Sequence, residues 1–134
     1  LNDETLYMER GAYLCHVGNI ETSATWEGFS GTFAEGMFGL RVSGTGLLFF
    51  GSYGDIQEVE VDGLYTVDNG YAVAWEQNLD YSIGRSGRSI RSFLFGDQLI
   101  CRFHGHGKLW VQTRSPRNLA AWVHPFRRVK SKND

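Results

Sequence analysis

The chain has few of the residues that mark several common protein classes. Its 134 residues include two prolines and two cysteines. Cys15 and Cys101 stand on separate strand-like segments, so they do not indicate the disulfide framework of a small secreted domain. The longest apolar run, residues 47–50, is far shorter than the roughly 20 residues that cross a bilayer. With no basic-then-apolar signal segment either, we expect a reducing, cytoplasmic compartment and no transmembrane segment, while peripheral association with a membrane stays open.

Glycine and aromatic residues are abundant instead. The sequence holds 17 glycines, 9 phenylalanines, 6 tyrosines and 4 tryptophans, and glycine alone is well above its usual share of about 7%. Scattered among short apolar runs, these residues predict many strands joined by tight turns, which excludes a helical bundle or a disordered chain. The length fits one domain.

Alternating apolar and polar residues predict ten short strands. They cover residues 13–17, 20–26, 37–42, 47–53, 56–61, 64–67, 71–75, 81–83, 99–104 and 109–113. The run 68–70 (DNG) predicts a hairpin turn between two of them. Ser115 as N-cap, Pro116 in the first turn and Pro125 as terminator predict one short helix near the C-terminus. We therefore expect an N-terminal lead-in (1–10), a single β domain (11–126) and a basic tail (127–134).

One segment is repeated within the chain. Residues 40–50 (LRVSGTGLLFF) align with residues 101–111 (CRFHGHGKLWV), so that Arg41 matches Arg102. Each copy predicts a strand, a tight Gly-x-Gly corner and a second strand, because glycine permits backbone angles closed to other residues. Two copies of one β unit indicate a pseudo-symmetric all-β fold, a sandwich or jelly roll (double-stranded β-helix) with the one C-terminal helix.

Charge is segregated along the chain although the net charge is only −2. Residues 1–62 hold ten acidic and two basic residues, a net charge of −8, whereas residues 63–134 hold five acidic and eleven basic residues, a net charge of +6. The fold can bring the halves together so that their fields cancel. The alternative interpretation is that the segregated charge forms a basic surface that binds an anion, or complementary faces that stack head to tail in a ring.

Two histidines are the only candidate metal ligands with a suggestive spacing. His104 and His106 are two apart, and on a flat strand both imidazoles would share a face. No acidic residue follows within the next five positions, however, and the adjoining glycines disfavour a flat strand. No nucleophile elbow or phosphate loop is present, and Glu58, Glu60 and Asp62 recur at the spacing of a solvent-exposed strand face. We therefore expect no enzyme, cofactor or metal site; a metal-dependent jelly-roll enzyme is the weaker alternative.

Arginines are the only candidate binding residues. Arg85, Arg88 and Arg91 lie in one glycine- and serine-rich loop, and Arg114 follows a later strand. Guanidinium groups suit phosphate, and aromatic residues on neighbouring strands could stack bases. The sequence pI of about 6.1 is low for a dedicated nucleic-acid binder, which favours a merely solvated loop and tail.

Four segments in a fixed order resemble one known family. They are residues 39–47 (GLRVSGTGL), 52–54 (SYG), 67–75 (VDNGYAVAW) and 110–115 (WVQTRS). Together they resemble the C-terminal half of the family named for altered inheritance of mitochondria, number 24, from about residue 11 to residue 126. The resemblance implies a fold like that of the tryptophan RNA-binding attenuation protein, commonly trimeric, and a link to membrane organisation in the mitochondrial branch rather than a known reaction.

The chain departs from the family pattern in three ways. Typical members are nearly twice as long, with two β domains of about this chain's size, so this chain looks like one such domain alone, a fragment or a short member. Members usually read Gly-Glu-Gly where residues 96–98 read Gly-Asp-Gln, and Thr-Gly-Pro-Gly where residues 104–107 read His-Gly-His-Gly. The two histidines are therefore no part of the family pattern, which further weakens the metal hypothesis.

The sequence as a whole predicts a non-enzymatic β-scaffold or binding module. A β domain that normally packs beside a second one exposes its contact surface when it is alone. We therefore expect a homo-oligomer, a trimer or higher ring. The first alternative is an anion- or RNA-binding domain that uses Arg85, Arg88, Arg91 and Arg114.

Overall fold

The structure, a computed structural model, describes residues 1–25, 39–85 and 99–127. Within these ranges nearly all regular structure is strand. The elements are β1 (Asn2–Glu9), β2 (Tyr13–Thr25), β3 (Gly39–Phe50), β4 (Ile56–Asp68), β5 (Ala72–Glu76), β6 (Leu79–Arg85), β7 (Leu99–Gln112), the helix α1 (Pro116–Val123) and a 3₁₀ turn (His124–Phe126).

The strands form one antiparallel sheet that folds on itself. Its order is β2-β3-β1-β5-β7-β4, and β6 pairs with β7 on the same edge as β5. The predicted all-β sandwich with one short C-terminal helix is confirmed. The lead-in predicted for residues 1–10 is wrong, because β1 lies inside the sheet and pairs with both β3 and β5.

The sheet consists of two equivalent units, and equivalent strands follow the same order across the sheet. The first unit is β2-β3-β1 and the second is β5/β6-β7-β4. The pair Tyr7↔Arg41 in the first unit corresponds to Thr66↔Arg102 in the second. In the same way, the β2–β3 register Cys15↔Phe49 corresponds to Ala74↔Trp110, and Glu21↔Ser43 corresponds to Asp80↔His104. The repeat seen in the sequence therefore extends to whole units.

Each unit folds back at its Gly-x-Gly segment. Asp68 and Ala72 are close together in the sequence, yet they pair with Ile100 and Val111, which lie near opposite ends of β7. β7 must therefore bend so that its two ends approach the turn at residues 69–71. Gly105, at a φ of 132°, lies within the bend.

This geometry corrects two expectations about the strands. The predicted strand pairs on either side of the Gly-x-Gly segments are single continuous strands, β3 and β7, because glycine bends a strand without ending its ladder. Residues 68–70 form a turn, with the amide of Tyr71 donating to the Asp68 carbonyl at 3.1 Å. The turn is not a hairpin, because β4 and β5 lie on opposite edges of β7.

Two hydrophobic cores lie on opposite faces of the central pair β1–β5. One contains Met8, Val42 and Ala74; the other is built around Trp75 and Phe103. Phe50 reaches Trp110, with ring centroids 6.1 Å apart, because the far half of β3 folds over the first core. The central strands are consequently covered on both faces.

The predicted helix is present but does not join the core. Ser115 is its N-cap and accepts from the amide of Asn118 at 3.5 Å, and Pro116 opens the helix. Asn118 Nδ2 also donates to the Tyr71 hydroxyl at 2.8 Å. No residue of α1 is buried, and none of the helices within the described ranges is long and apolar enough to span a membrane.

Candidate functional site

The bend of β7 brings two parts of the predicted anion site toward one end of the molecule. Arg85 ends β6 and pairs through its backbone with Leu99 at the start of β7, whereas Arg114 follows the end of β7 and is exposed. Both ends of β7 approach the turn at residues 69–71, where Gln112 Nε2 donates to the Gly70 carbonyl at 2.7 Å. Arg88 and Arg91, the side chain of Arg85 and the tail from residue 128 onward lie outside the described residues.

The two histidines lie exposed on β7. His106 Nδ1 is 2.9 Å from Asp62 Oδ1, directly across the β4–β7 ladder. His104 stands opposite Leu64 on one side and Asp80 on the other. No group of three His, Cys, Asp or Glu side chains with metal-site geometry occurs within the three described ranges. The Asp62–His106 contact is an ion pair only when the imidazole is protonated.

The acidic residues of β4 face solvent. Glu58, Glu60 and Asp62 are all exposed, as their spacing predicts. Glu58 Oε1 lies 2.9 Å from Lys108 Nζ, and this hydrogen bond, together with the charge of Glu58, raises the pKa of Lys108. An exposed pair of this kind contributes little to stability.

An apolar surface is left uncovered on the first unit. It lies on the outer face of the β2–β3 pair, away from the first core, and we refer to it as the apolar patch. Its members are Leu14, Cys15, Val17, Leu47 and Phe49. Val17 and Leu47 are directly paired across the two strands and are 62% and 64% exposed. Contiguous apolar side chains on a protein surface mark interaction sites.

The corresponding face of the second unit is covered. Phe49 and Cys15 correspond to Trp110 and Ala74, and these two pack into the first core. The apolar patch of unit one is therefore equivalent to the surface through which unit two contacts unit one.

A groove of about 590 Å³ runs beside the patch. It is lined by both units, including Leu47 and Phe50 of β3, Asp3 of β1, and Lys108 and Trp110 of β7. Beyond Thr45, β3 has only Leu1 as a neighbour on its β1 side within the described chain, with Leu1 N donating to the Gly46 carbonyl at 2.9 Å. The groove follows this open stretch of β3.

A second apolar surface is carried by the C-terminal helix. Leu119, Trp122, Val123 and Phe126 follow helical spacing and are 44–74% exposed. The rings of Trp122 and Phe126 contact each other with centroids 5.6 Å apart.

Sequence reasoning missed the apolar patch although its signal was present. In the run of residues 47–50, Leu48 and Phe50 pack against the first core, so Leu47 and Phe49 must point outward. Four consecutive apolar residues in a strand cover both of its faces, which indicates a strand with a second partner.

Comparison with known proteins identifies relatives along nearly the whole chain. The family model described as Mitochondrial biogenesis AIM24 matches residues 1–114, so the similarity begins with β1 rather than near residue 11. An uncharacterized protein of Streptococcus pyogenes serotype M6 is 35% identical over 79 residues, 58% of this chain and 32% of that protein. A crystal structure of a Streptococcus pyogenes protein matches with a TM-score of 0.80 and 26% identity, covering 95% of this chain and 57% of that one.

The chain is shorter than these relatives. It matches about a third of the length of the curated protein and under three fifths of the solved one.

Proposed function

The chain belongs to the Mitochondrial biogenesis AIM24 family, and we propose that it is a non-enzymatic β-scaffold that acts as a homo-oligomer. The uncovered apolar patch is the observation that carries this proposal. Burial of about 25 cal/mol per Å² favours covering such a surface, and its equivalent in unit two is already covered within the chain. The family description names a process, mitochondrial biogenesis, and not a reaction. We extend the proposed organising role to one at a membrane.

The experiment is a measurement of oligomeric state by light scattering and native mass spectrometry. We expect the unaltered protein to be a closed oligomer and the Val17→Ser/Leu47→Ser variant to be a monomer. Trp122→Ser is the matched control, since it removes an equally exposed apolar side chain elsewhere on the surface. A monomeric unaltered protein at all concentrations would refute the scaffold proposal.

The same spectra test the metal-dependent alternative. Stoichiometric metal retained by the purified protein, and lost in a His104→Ala/His106→Ala variant, would support a jelly-roll metalloenzyme instead. The single Asp62–His106 contact offers little support for that alternative.

Anion or RNA binding is a second candidate, supported by the folding back of β7. The bend places Arg114 and the strand end at Arg85 toward the same turn, and we propose that Arg114 binds the anion together with Arg85, Arg88 and Arg91. We expect Arg114→Gln to reduce retention on heparin at low salt, with Arg10→Gln, an exposed arginine of unit one, as control. Equal retention of both variants would contradict this candidate.

A cytoplasmic, reducing location is supported by the cysteines. Cys15 is exposed and Cys101 is buried, and both are free thiols.

A further inference from the structure

The two units of the chain meet at one strand pair. β1 of the first unit pairs antiparallel with β5 of the second, with Leu6 opposite Glu76, Tyr7 opposite Trp75 and Met8 opposite Ala74. In the order of the sheet, this junction joins the last strand of unit one (β1) to the first strand of unit two (β5), so it is a head-to-tail contact.

The two outer edges of the sheet are formed by strands that are equivalent to the two strands of this junction. β4 is the equivalent of β1 and forms one outer edge; β2 is the equivalent of β5 and forms the other. Over the described ranges neither outer edge has a strand partner. Open edges present unpaired amide and carbonyl groups that favour pairing with another chain.

We propose that β4 of one copy pairs antiparallel with β2 of the next copy, repeating between chains the β1–β5 junction found within each chain. The equivalence of the two units fixes the register: Tyr65 lies opposite Val17 of the next copy, Thr66 opposite His16, and Val67 opposite Cys15. This inference rests on the proposed function and specifies its geometry.

The side chains at the two edges fit this pairing. Within the chain, Trp110 of unit two packs against Phe50 of unit one. The equivalent contact between copies joins Phe49 of the next copy, which is 47% exposed, to Val111 of the first. The apolar patch would thereby cover the open end of the second core, in which Tyr65, Val67 and Val111 are partly buried.

The two sides of the proposed contact are different surfaces. Head-to-tail contact places the first unit of one copy against the second unit of its neighbour. Because this interface uses different surfaces on its two sides, it produces a ring if the rotation closes.

Disulfide trapping tests the register directly. Directly opposed residues in an antiparallel pair have Cα atoms about 4.5–5.5 Å apart, within disulfide reach. In a Cys15→Ser background, two variants that each carry one new cysteine are mixed, allowed to exchange subunits and oxidised. We expect Tyr65→Cys to form a covalent dimer with Val17→Cys, and Thr66→Cys to form one with His16→Cys.

A mismatched pair supplies the control. Thr66→Cys with Val17→Cys places the two sulfurs on opposite faces of the strands, and we expect its dimer to form at least about tenfold more slowly. Thr66 is exposed, so the Thr66 pair remains informative if Tyr65→Cys perturbs the core.

The outcomes separate the two proposals. Register-specific dimers support the head-to-tail pairing. Oligomers that show no trapping, equal trapping of matched and mismatched pairs, or a dimer of Val17→Cys with itself would overturn the pairing and leave the scaffold proposal intact. A monomer at all concentrations would overturn both.

Discussion

Gly44 and Gly105 occupy equivalent positions in β3 and β7, with φ angles of +130° and +132°. A Cβ atom at Gly44 would collide with the carbonyl of Asn19, and one at Gly105 would lie 2.5 Å from the carbonyl of Asn78. The two units therefore fold back by the same means: a glycine in a backbone conformation closed to other residues, close to the backbone of the neighbouring strand in β3 and of the β5–β6 turn in β7.

We expect Gly105→Ala to lower the free energy of unfolding by at least about 2 kcal/mol, because it combines an unfavourable φ with a backbone clash. Gly51→Ala is the control, since its Cβ would make only an ordinary 3.6 Å contact with Leu14, and we expect a change within about 0.5 kcal/mol. Urea unfolding measures both. Equal stability of the two variants would show that the bend does not require glycine.

Glu76, at the end of β5, is hydrogen-bonded to β7. Its Oε2 accepts from the backbone amide of Lys108 at 2.9 Å. We expect Glu76→Ala to destabilise the fold by about 1–3 kcal/mol by leaving that amide unpaired, and Glu76→Gln, which keeps an acceptor oxygen, to cost less. Glu60→Ala, on the exposed face of β4, should be nearly neutral in the same urea titration. A Gln variant as unstable as the Ala variant would indicate that charge, not the hydrogen bond, matters.

Cys101 makes stability depend on alkaline pH. Burial, followed by the nearby charge of Asp68, raises the pKa of its thiol from 9.0 to about 11. The folded protein therefore holds this proton more tightly than the unfolded chain does. The resulting stabilisation is fully present below pH 9 and is lost as the pH rises from 9 toward 11. We expect the free energy of unfolding to fall by more between pH 8 and pH 10.5 for the unaltered protein than for Cys101→Val, which lacks the thiol.

Thiol chemistry checks the same group independently. In the monomeric Val17→Ser/Leu47→Ser variant at pH 8, we expect a thiol reagent to modify exposed Cys15 and to leave Cys101 unmodified until the protein unfolds. Rapid modification of both in the folded state would contradict the burial of Cys101.

The helix should be dispensable for the stability of the sheet. It buries none of its own residues, and its main described link to the sheet is the bond from Asn118 to Tyr71. We expect a chain ending at residue 115 to unfold within about 1 kcal/mol of the unaltered protein, the worth of one such hydrogen bond. A much larger loss in urea unfolding would mean that the helix packs on the sheet.

The sequence predicted the fold class because its signals are local. Alternation, turn residues and the repeat at residues 40–50 and 101–111 each act within a short stretch of chain. The cap at Ser115 and the stop at Pro125 are equally local, and they gave the helix correctly.

The pairing of strands was not predictable in this way. The run at residues 68–70 is a genuine turn, but only the bend of β7 decides that it links the two outer edges of that strand. β1 was mistaken for a lead-in because most of its residues are polar. The burial of Leu6 and Met8 depends on pairing with β5, which is distant in the sequence. The apolar patch could have been inferred from residues 47–50 once both faces of the strand were considered.

The placement of β1 between the two units has a kinetic consequence. Met8 pairs with Ala74, which belongs to the second unit, so β1 is synthesised long before the strand that completes its pairing. Until β5 and β7 have emerged from the ribosome, the apolar side chains of β1 have no finished core to enter. Contacts between residues so distant in sequence slow folding, and we infer that this chain folds late and as a whole, in milliseconds to seconds rather than microseconds.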